Sequence, residues 1–289
     1  TVADLFSLGG FLHAFYSTVT IDNSTLTDNA ASKGGAIALE ALSSLMLTNS
    51  SLLRNQALDA QSSPDVSADG GALWAQQAES ITFASSVCDQ NAALGGGGGG
   101  SGGCAFLDSS PATFVDATLA RNEALTGGGG AVLWHTVAPS PAGLLRQATS
   151  GTRAFAANRA QYGNDVATPA VRLAVASLGG LATTGDGGLS TGVLIRPSIK
   201  LRLADAYNQT IATDFTSSAS VAPSSAFAGT VIVQARAGEF VFDALAPVTS
   251  PGSTTPIRFV ASTASSGALS TAQIALTTSL CVSLLFLLF

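Results

Sequence analysis

Residues 34–57 read GGAIALEALSSLMLTNSSLLRNQA, and this stretch decides the fold. A Gly-Gly pair opens it, an apolar run follows, and residues 55–57 close it with an Asn-x-Ala motif. Leu45 and Leu47 stand two residues apart, which is the spacing that places side chains on one face of a β-strand. Leu52 lies beyond a corner and is expected to point inward again. The stretch therefore predicts one unit with a strand after Gly-Gly, a second strand before the asparagine, and a turn.

The same unit occurs five times in the first part of the chain. Its Gly-Gly pairs are Gly9-Gly10, Gly34-Gly35, Gly70-Gly71, Gly102-Gly103 and Gly129-Gly130. Its closing asparagines are Asn29, Asn55, Asn91, Asn122 and Asn158. From the second glycine to the asparagine the distance is 19 or 20 residues in four units and 28 in the fifth, where Pro139–Gly143 is inserted. One unit cannot bury its apolar face alone, so the units are predicted to stack as coils of a parallel β-helix, with the asparagines in one ladder.

Two motifs in these units resemble those of a known family. A Gly-Gly-Ala-[Ile/Leu/Val] motif fits at residues 34–37, 70–73 and 129–132, and residues 155–158 fit a Phe-x-x-Asn motif. With them the chain resembles the polymorphic outer membrane protein repeats of bacteria, over residues 1 to about 166. The other units carry Leu or Cys in place of the Phe. The resemblance implies a right-handed parallel β-helix with a passenger or adhesin role, and such motifs specify fold far better than function.

After the repeats the sequence changes to short alternating runs separated by turn residues. These runs are Val171–Val175, Ile199–Leu203, Val231–Ala235, Phe240–Asp243 and Ile257–Val260. Their spacing predicts a β-sandwich, and the stretch around residues 203–209 and 238–242 resembles an immunoglobulin-like or filamin-like module. The predicted fold class is therefore all-β: a right-handed parallel β-helix over residues 1–168, followed by an immunoglobulin-like β-sandwich over residues 169–262.

Residues 263–289 are predicted to be a polar spacer followed by a hydrophobic tail. The sixteen residues of Ile274–Phe289 are uncharged, and as a helix they rise about 24 Å, short of a hydrocarbon core of about 30 Å. Small residues, a polar spacer and an apolar tail form the pattern of a GPI-anchor signal. A truncated transmembrane helix is the open alternative, and the N-terminus is interpreted as a cut end. We therefore expect a cell-surface or extracellular protein that is anchored to a membrane through its tail.

Composition argues against several other classes of function. Charged residues make up 10% of the chain, the net charge is -6, and without a clustered basic face no nucleic-acid partner is expected. The cysteine spacings match no metal site, and no cofactor is expected. The run Gly95–Gly100 lacks the Gly-Lys-[Ser/Thr] of a phosphate loop and is interpreted as an insertion between coils. Cys88 and Cys104 stand at core positions, so buried unpaired thiols are expected rather than a disulfide.

The nearest approach to an active site is a column of polar residues at the strand ends, formed by Glu40, Gln76, Asp108 and His135. Enzymes that cleave polysaccharides need carboxylates on one face. At a strand spacing of about 4.8 Å, Glu40 and Asp108 are predicted to lie about 9–10 Å apart, the long edge of an inverting pair. We interpret the column as solvated strand ends. His13 and His135, in the first and last coils, are interpreted as surface residues that cannot share a metal.

The expected function follows from these interpretations. We expect a non-enzymatic, adhesin-like or structural protein of the cell surface, with carbohydrate or other cell-surface proteins as partners. The alternative is a carbohydrate-active β-helix enzyme, either a polysaccharide lyase or a glycoside hydrolase, with a site at Glu40 and Asp108.

Three Asn-x-Ser/Thr sequons begin at Asn23, Asn49 and Asn208. Asn23 and Asn49 occupy the same position in the repeat, and strand alternation from Val19 and Ile21 predicts that they point inward at a corner. Adjacent coils would place them about 4.8 Å apart, which leaves no room for two glycans. We therefore expect glycosylation at Asn208, in a polar turn, and little or none at Asn23 and Asn49.

Overall fold

The protein is described from a computed structural model. It describes residues 7–58, 67–95, 99–135, 155–177, 192, 194–195, 198–248, 250, 254–262 and 272–277. The insertions predicted at Gly95–Gly100 and Pro139–Gly143, and the end of the tail with Cys281, lie wholly or partly outside these residues. Apart from one short 3-10 turn, the regular elements of the described chain are β-strands.

The chain divides into two compact units. The first unit comprises the chain up to Pro169 together with Asp205–Gln209, and the second comprises Ala170–Ala204 and the chain from Thr210 onward. The predicted boundary at residues 168/169 lies one residue before this division. The segment Asp205–Gln209 differs from the prediction, because it belongs to the first unit although the sequence placed it in the second.

Each coil of the first unit carries short strands. The first coil contains β1 (Leu12–Phe15), β2 (Thr18–Asp22), β3 (Thr25–Thr27) and β4 (Ala30–Ala31). The second contains β5 (Ile37–Glu40), β6 (Ser44–Thr48), β7 (Ser51–Leu53) and β8 (Gln56–Leu58). The third contains β9 (Leu73–Gln76), β10 (Ser80–Ala84), β11 (Val87–Asp89) and β12 (Ala92–Leu94). The fourth contains β13 (Ala105–Asp108), β14 (Ala112–Val115), β15 (Thr118–Ala120) and β16 (Glu123–Gly128). The last contains β17 (Val132–Trp134), β18 (Phe155–Ala156) and β19 (Arg159–Tyr162), and β20 (Val166–Ala167) follows.

Equivalent strands of successive coils pair in parallel and form four sheets. Their orders are β1-β5-β9-β13-β17-β20, β2-β6-β10-β14, β3-β7-β11-β15-β18 and β4-β8-β12-β16-β19. Because the strands of each sheet follow coil order, the first unit is a β-helix-like all-β stack. The sequence predicted two strands and a turn in each coil. In the structure, two further short strands flank each asparagine, one before it and one after it. The residue before each of the five ladder asparagines has a left-handed backbone, which ends one strand and starts the next: Asp28, Arg54, Gln90, Arg121 and Ala157.

The interior of the stack is filled by columns of apolar side chains. Leu47 pairs with Phe83, and Phe83 pairs with Phe114, so the inward position of the second strand is apolar in each of these coils. All three side chains are buried in one continuous cluster. In the first coil the equivalent Val19 and Ile21 are half-buried. Full burial of one such side chain contributes roughly 1.5–3 kcal/mol, so the core grows with each coil that is added.

The Gly-Gly pair is required because neighbouring backbone leaves no room for a side chain at either position. Gly34 has φ +61°, and a Cβ there would lie 2.0 Å from the carbonyl oxygen of Ile37. A Cβ on Gly35 would lie 2.2 Å from the oxygen of Gly71 in the next coil and 2.5 Å from the amide nitrogen of Gln56. The second glycine therefore lets the fourth strand of the same coil pack directly against its backbone.

The two core cysteines form a disulfide, so the expectation of unpaired thiols is wrong. Cys88 lies in β11 of the third coil, and Cys104 precedes β13 of the fourth. Both are fully buried, as their core positions predicted, and their Cα atoms are 6.2 Å apart. The alignment of repeats assigns them to different positions of the coil and gives no distance across the interior. Stacking brings those positions face to face.

The corner after the second strand faces solvent, so the inward expectation for Asn23 and Asn49 is also wrong. Both side chains are exposed, and their φ angles are 45° and 47°. A left-handed residue interrupts the in-out alternation on which the expectation was based. The following residue turns inward instead: Ser50 is buried, and its hydroxyl accepts a hydrogen bond from the amide of Ser24 at 3.0 Å.

The second unit consists of antiparallel strands. They are β21 (Arg172–Ser177), β22 (Ile199–Ala204), β23 (Ser218–Ala222), β24 (Phe227–Gly229), β25 (Ile232–Gln234), β26 (Glu239–Phe242), β27 (Leu245–Pro247), β28 (Thr254–Ser262) and β29 (Ala272–Thr277). They form three sheets with the orders β21-β22-β26, β25-β23-β28-β29 and β24-β27. Each of the five alternating runs overlaps a strand, whereas β23, β24, β27 and β29 were not predicted.

The tail region begins differently from its prediction. Ala272–Thr277 forms β29, which pairs with β28, although this stretch was expected to join the polar spacer to a hydrophobic anchor. Residues 278–289 lie outside the described residues. Within the described part of the chain, no helix has the length and apolarity that crossing a membrane requires.

Candidate functional site

The polar column predicted at the strand ends is a single row on the outside of the first sheet, and we call Glu40, Gln76, Asp108 and His135 the polar strip. Glu40 pairs with Gln76 and Gln76 pairs with Asp108, so these three lie side by side on successive strands. His135 follows β17, and its amide donates to the oxygen of Leu107 at 2.8 Å, which sets it beside Asp108. At the spacing of parallel strands, Glu40 and Asp108 lie about 9–10 Å apart with Gln76 between them.

Within the polar strip, Gln76 and His135 are hydrogen-bonded to Asp108, while Glu40 is bonded to His13, which lies outside the strip. The Nε2 atom of Gln76 donates to Oδ2 of Asp108 at 3.2 Å, and Nδ1 of His135 lies 3.4 Å from Oδ1 of Asp108. At the other end, Nε2 of His13 lies 2.6 Å from Oε2 of Glu40. Each carboxylate of the strip therefore has a histidine beside it. Such a row offers donors and acceptors at regular intervals to a ligand that runs along the stack.

The structure places the two histidines on the surface and gives them partners that the sequence did not suggest. His13 belongs to the first coil and contacts Glu40 of the second, two positions further along the neighbouring strand. His135 also stacks on the ring of Phe106, with centroids 5.7 Å apart. Alternation predicts which face a side chain occupies, and it gives no information on how far a long side chain reaches along that face.

Asp69 is a buried acid that the sequence analysis did not single out. Its Oδ1 atom accepts a hydrogen bond from the amide of Ser101 at 3.0 Å, so it links the third coil to the fourth. Burial raises the pKa of Asp69, while hydrogen bonds from Ser67 and Ser101 and the charge of Lys33 oppose the rise. In the sequence, Asp69 is marked only by its position. It directly precedes a Gly-Gly pair, where the other units carry unrelated residues. Its bonds are those of a residue that joins coils.

The structure brings the five predicted ladder asparagines into one column. The Nδ2 atom of each of the first four donates to Oδ1 of the next at 2.9–3.0 Å. The backbone amide of each donates to the same oxygen at 2.8–3.1 Å. At the end of the column, Asn158 donates to Oδ1 of Asp165 at 2.9 Å, so a carboxylate replaces the next amide. The asparagine column therefore holds successive coils together in the interior and is not a surface site.

A turn from later in the chain covers the end of the stack. Oδ1 of Asp205 accepts bonds from the amides of Tyr207 and Gln209 at 2.9 and 2.8 Å, and Oδ2 accepts one from Thr168 at 3.2 Å. Burial raises the pKa of Asp205 despite these bonds. Asn208, the predicted glycosylation site, is the exposed residue of this turn and has φ 64°.

The fold and the strip define the class of protein at the level of architecture: a β-helix-like all-β stack with a polar strip and an internal amide ladder. Comparison with protein-family models, with curated proteins and with solved structures finds no match. Among the described residues, no group of three or more His, Cys, Asp or Glu side chains is arranged to hold a metal ion.

Proposed function

We propose that this protein is a non-enzymatic extracellular or cell-surface protein with an adhesive or structural role. The observation that carries the proposal is the Cys88–Cys104 disulfide between the third and fourth coils. Disulfides persist in oxidising compartments and are rare where thiols are kept reduced. A chain that builds one into its core is suited to the outside of the cell.

The adhesive or structural role is supported by how the polar groups are used. Glu40 and Asp108 are paired with histidines, and the buried amides and hydroxyls join one coil to the next. The outer face therefore presents one polar side chain per coil, and buried hydrogen bonds hold the coils together. This arrangement suits a repetitive partner, such as carbohydrate or another cell-surface protein, bound along the strip.

Three finer features belong to the same proposal. The stack is right-handed, as in the repeats that the sequence resembles. The second unit is an immunoglobulin-like sandwich, which is supported by the contact of Phe242 in β26 with Phe259 in β28, two strands of different sheets whose ring centroids lie 5.1 Å apart. The tail attaches the protein to a membrane, either through a GPI anchor or as a spanning segment.

The experiment combines localisation with a ligand screen. Antibody labelling of intact cells should detect the protein at the surface, and a glycan array should report binding without cleavage. The variants Glu40→Gln and Asp108→Ala should weaken that binding. A matched control, Asp22→Ala with Asp243→Ala, removes two exposed acids elsewhere and should leave binding unchanged. Labelling only after permeabilisation, with Cys88 and Cys104 recovered as thiols, would contradict the proposal.

A carbohydrate-active enzyme is the second candidate, and one observation favours it. Glu40 and Asp108 lie on one face with a single strand between them, a separation at the upper limit for an inverting pair. For this candidate, purified protein should release reducing ends or unsaturated products from a polysaccharide panel. Loss of that release in both Glu40→Gln and Asp108→Ala, with binding retained, would establish it against the first proposal.

A further inference from the structure

The corner between the second and third strands of a coil carries a sequon in each of the first two coils. The asparagines are Asn23 and Asn49, and their left-handed backbone points both side chains to solvent. The same column continues with Ser85 and Asp116, whose φ angles are both 49°. The corner is therefore a repeated outward turn that accepts several small polar residues, and the side-chain amides of its two sequons are accessible.

The two asparagines differ in what surrounds them. The Nδ2 atom of Asn49 donates to Oδ1 of Asp22 at 3.4 Å, whereas the side chain of Asn23 makes no hydrogen bond to another described residue. Asn49 lies between two neighbours in its column, Asn23 and Ser85.

We propose that Asn23 is an N-glycosylation site and that Asn49 stays unmodified in any molecule in which Asn23 is occupied. The inference rests on the extracellular location proposed above. The sugar donor is an oligosaccharide linked to a lipid pyrophosphate. The anomeric carbon bonds to Nδ2, the amide gives up one proton, and the lipid pyrophosphate leaves with the electrons of the broken bond.

The spacing of the coils sets the exclusion between the two sites. Equivalent residues of adjacent coils lie about 4.8 Å apart, and a sugar ring with its N-acetyl group is broader than that spacing. Asn23 has the free amide and a threonine at its third sequon position, Thr25, where Asn49 has Ser51. Both differences favour Asn23.

The test is a glycopeptide map of the full chain, secreted through an added leader peptide from a eukaryotic host. A sequon in the purification tag shows that the host is glycosylating the protein. We expect glycan on Asn23 and an unmodified Asn49 in the wild-type protein. Asn23→Asp, which places at this corner the residue that Asp116 already provides, should lose the glycan and let Asn49 become occupied. Thr25→Val removes the hydroxyl that the sequon requires, without changing the corner residue, and should give the same result. Asn49→Asp should leave Asn23 occupied.

Two results would overturn the inference. Glycan on both Asn23 and Asn49 of one molecule would show that coil spacing does not exclude the second site. An empty Asn23 beside a modified tag would show that the corner is not a site. Neither result bears on the extracellular proposal, because the added leader determines secretion here and that proposal concerns where the native protein is located.

Discussion

Asn91 shows at the scale of one residue how the coils are kept in register. Its Nδ2 atom donates to Oδ1 of Asn122 at 3.0 Å and to the oxygen of Leu52 at 2.9 Å. Its Oδ1 atom accepts from the amide and from Nδ2 of Asn55 at 2.8 and 2.9 Å. The residue is fully buried. A slip of one residue between coils would leave these buried groups without partners, so the ladder penalises every register except the native one.

We expect Asn91→Ala to destabilise the first unit by more than about 3 kcal/mol, since each buried polar group left unpaired costs about 1–3 kcal/mol. Urea denaturation followed by tryptophan fluorescence measures this, because Trp74 and Trp134 are both buried in the first unit. Asn29→Ala is the matched control. Asn29 is the half-buried first member of the column, so its loss should cost less. A larger loss for Asn29→Ala would contradict the role of the ladder.

Tyr207 is a second residue whose environment yields a prediction. Its hydroxyl is buried with no hydrogen-bond partner among the described residues, and burial, with the charge of Asp205 added, raises its pKa to about 12. The folded protein therefore holds this proton more tightly than the unfolded chain, whose tyrosine pKa is about 10. The resulting stability is complete below about pH 10 and is lost as the pH rises through about 12.

We expect Tyr207→Phe to leave stability at pH 7 unchanged or to raise it by about 1 kcal/mol, because a buried unpaired hydroxyl is removed. Between pH 10 and 12 the variant should lose less stability than the wild type. Urea denaturation across this range is the measurement. Tyr162→Phe is the control at pH 7: the hydroxyl of Tyr162 donates to Thr168 at 3.2 Å, so its removal should destabilise. A Tyr207→Phe variant less stable than Tyr162→Phe at pH 7 would show that the Tyr207 hydroxyl is bonded.

At the scale of the element, the third and fourth coils are the pair joined by a covalent bond. Cys88 occupies a position where three of the other coils carry Leu, and Cys104 one where three of them carry Ala. The disulfide thus replaces an ordinary core contact. A cross-link over 16 residues stabilises by about 3 kcal/mol in the loop-entropy account.

We expect a reducing agent to lower the denaturation midpoint of the wild type by an amount that corresponds to about 3 kcal/mol. The double variant Cys88→Leu with Cys104→Ala introduces the residues that three of the other coils carry at each position, so it should fold and show no shift with the reductant. Cys88→Ala with Cys104→Ala leaves a cavity and should be the least stable of the three. If the reductant frees both thiols and the denaturation midpoint of the wild type does not change, the disulfide does not stabilise the fold.

At the scale of the whole chain, the first unit is a stack in which each coil contacts mainly its neighbours. The four sheets run through successive coils in the same order, and such an arrangement makes stability a sum of coils and coil-coil interfaces. A complete coil is then a removable part, provided that every column stays aligned.

We expect deletion of residues 37–72 to give a folded and less stable protein, because Ala36 then precedes Leu73 as Ala72 does in the native chain. Deletion of residues 37–71 leaves one extra residue, and a shift of one position reverses which side chains face the core. That variant should fail to fold. Circular dichroism and cooperative urea denaturation distinguish the two, and equal behaviour of both deletions would contradict the stack of interchangeable coils.

The sequence by itself determined the repeat, its inward apolar residues and the residues of the ladder. Gly-Gly at one end of a unit and Asn at the other left few arrangements open, because both mark positions at which backbone approach or amide pairing repeats from coil to coil. Leu45, Leu47 and Leu52 were predicted to be interior, and they are buried. The strip residues Glu40 and Asp108 were placed in one row for the same reason, since a fixed spacing repeats with the coil.

The tertiary structure alone decided features that depend on distances across the coil or on single backbone angles. The pairing of Cys88 with Cys104 needs the width of the interior, which a periodic pattern does not contain. The outward turn of Asn23 needs its φ of 45°, because a left-handed residue reverses the alternation on which the sequence prediction relied. The turn at Asp205 joined the end of the stack because its buried carboxylate finds donors there, and no local pattern encodes partners from a distant segment. The periodic sequence thus specifies the positions that repeat from coil to coil, and tertiary packing decides the contacts made across the interior of the stack.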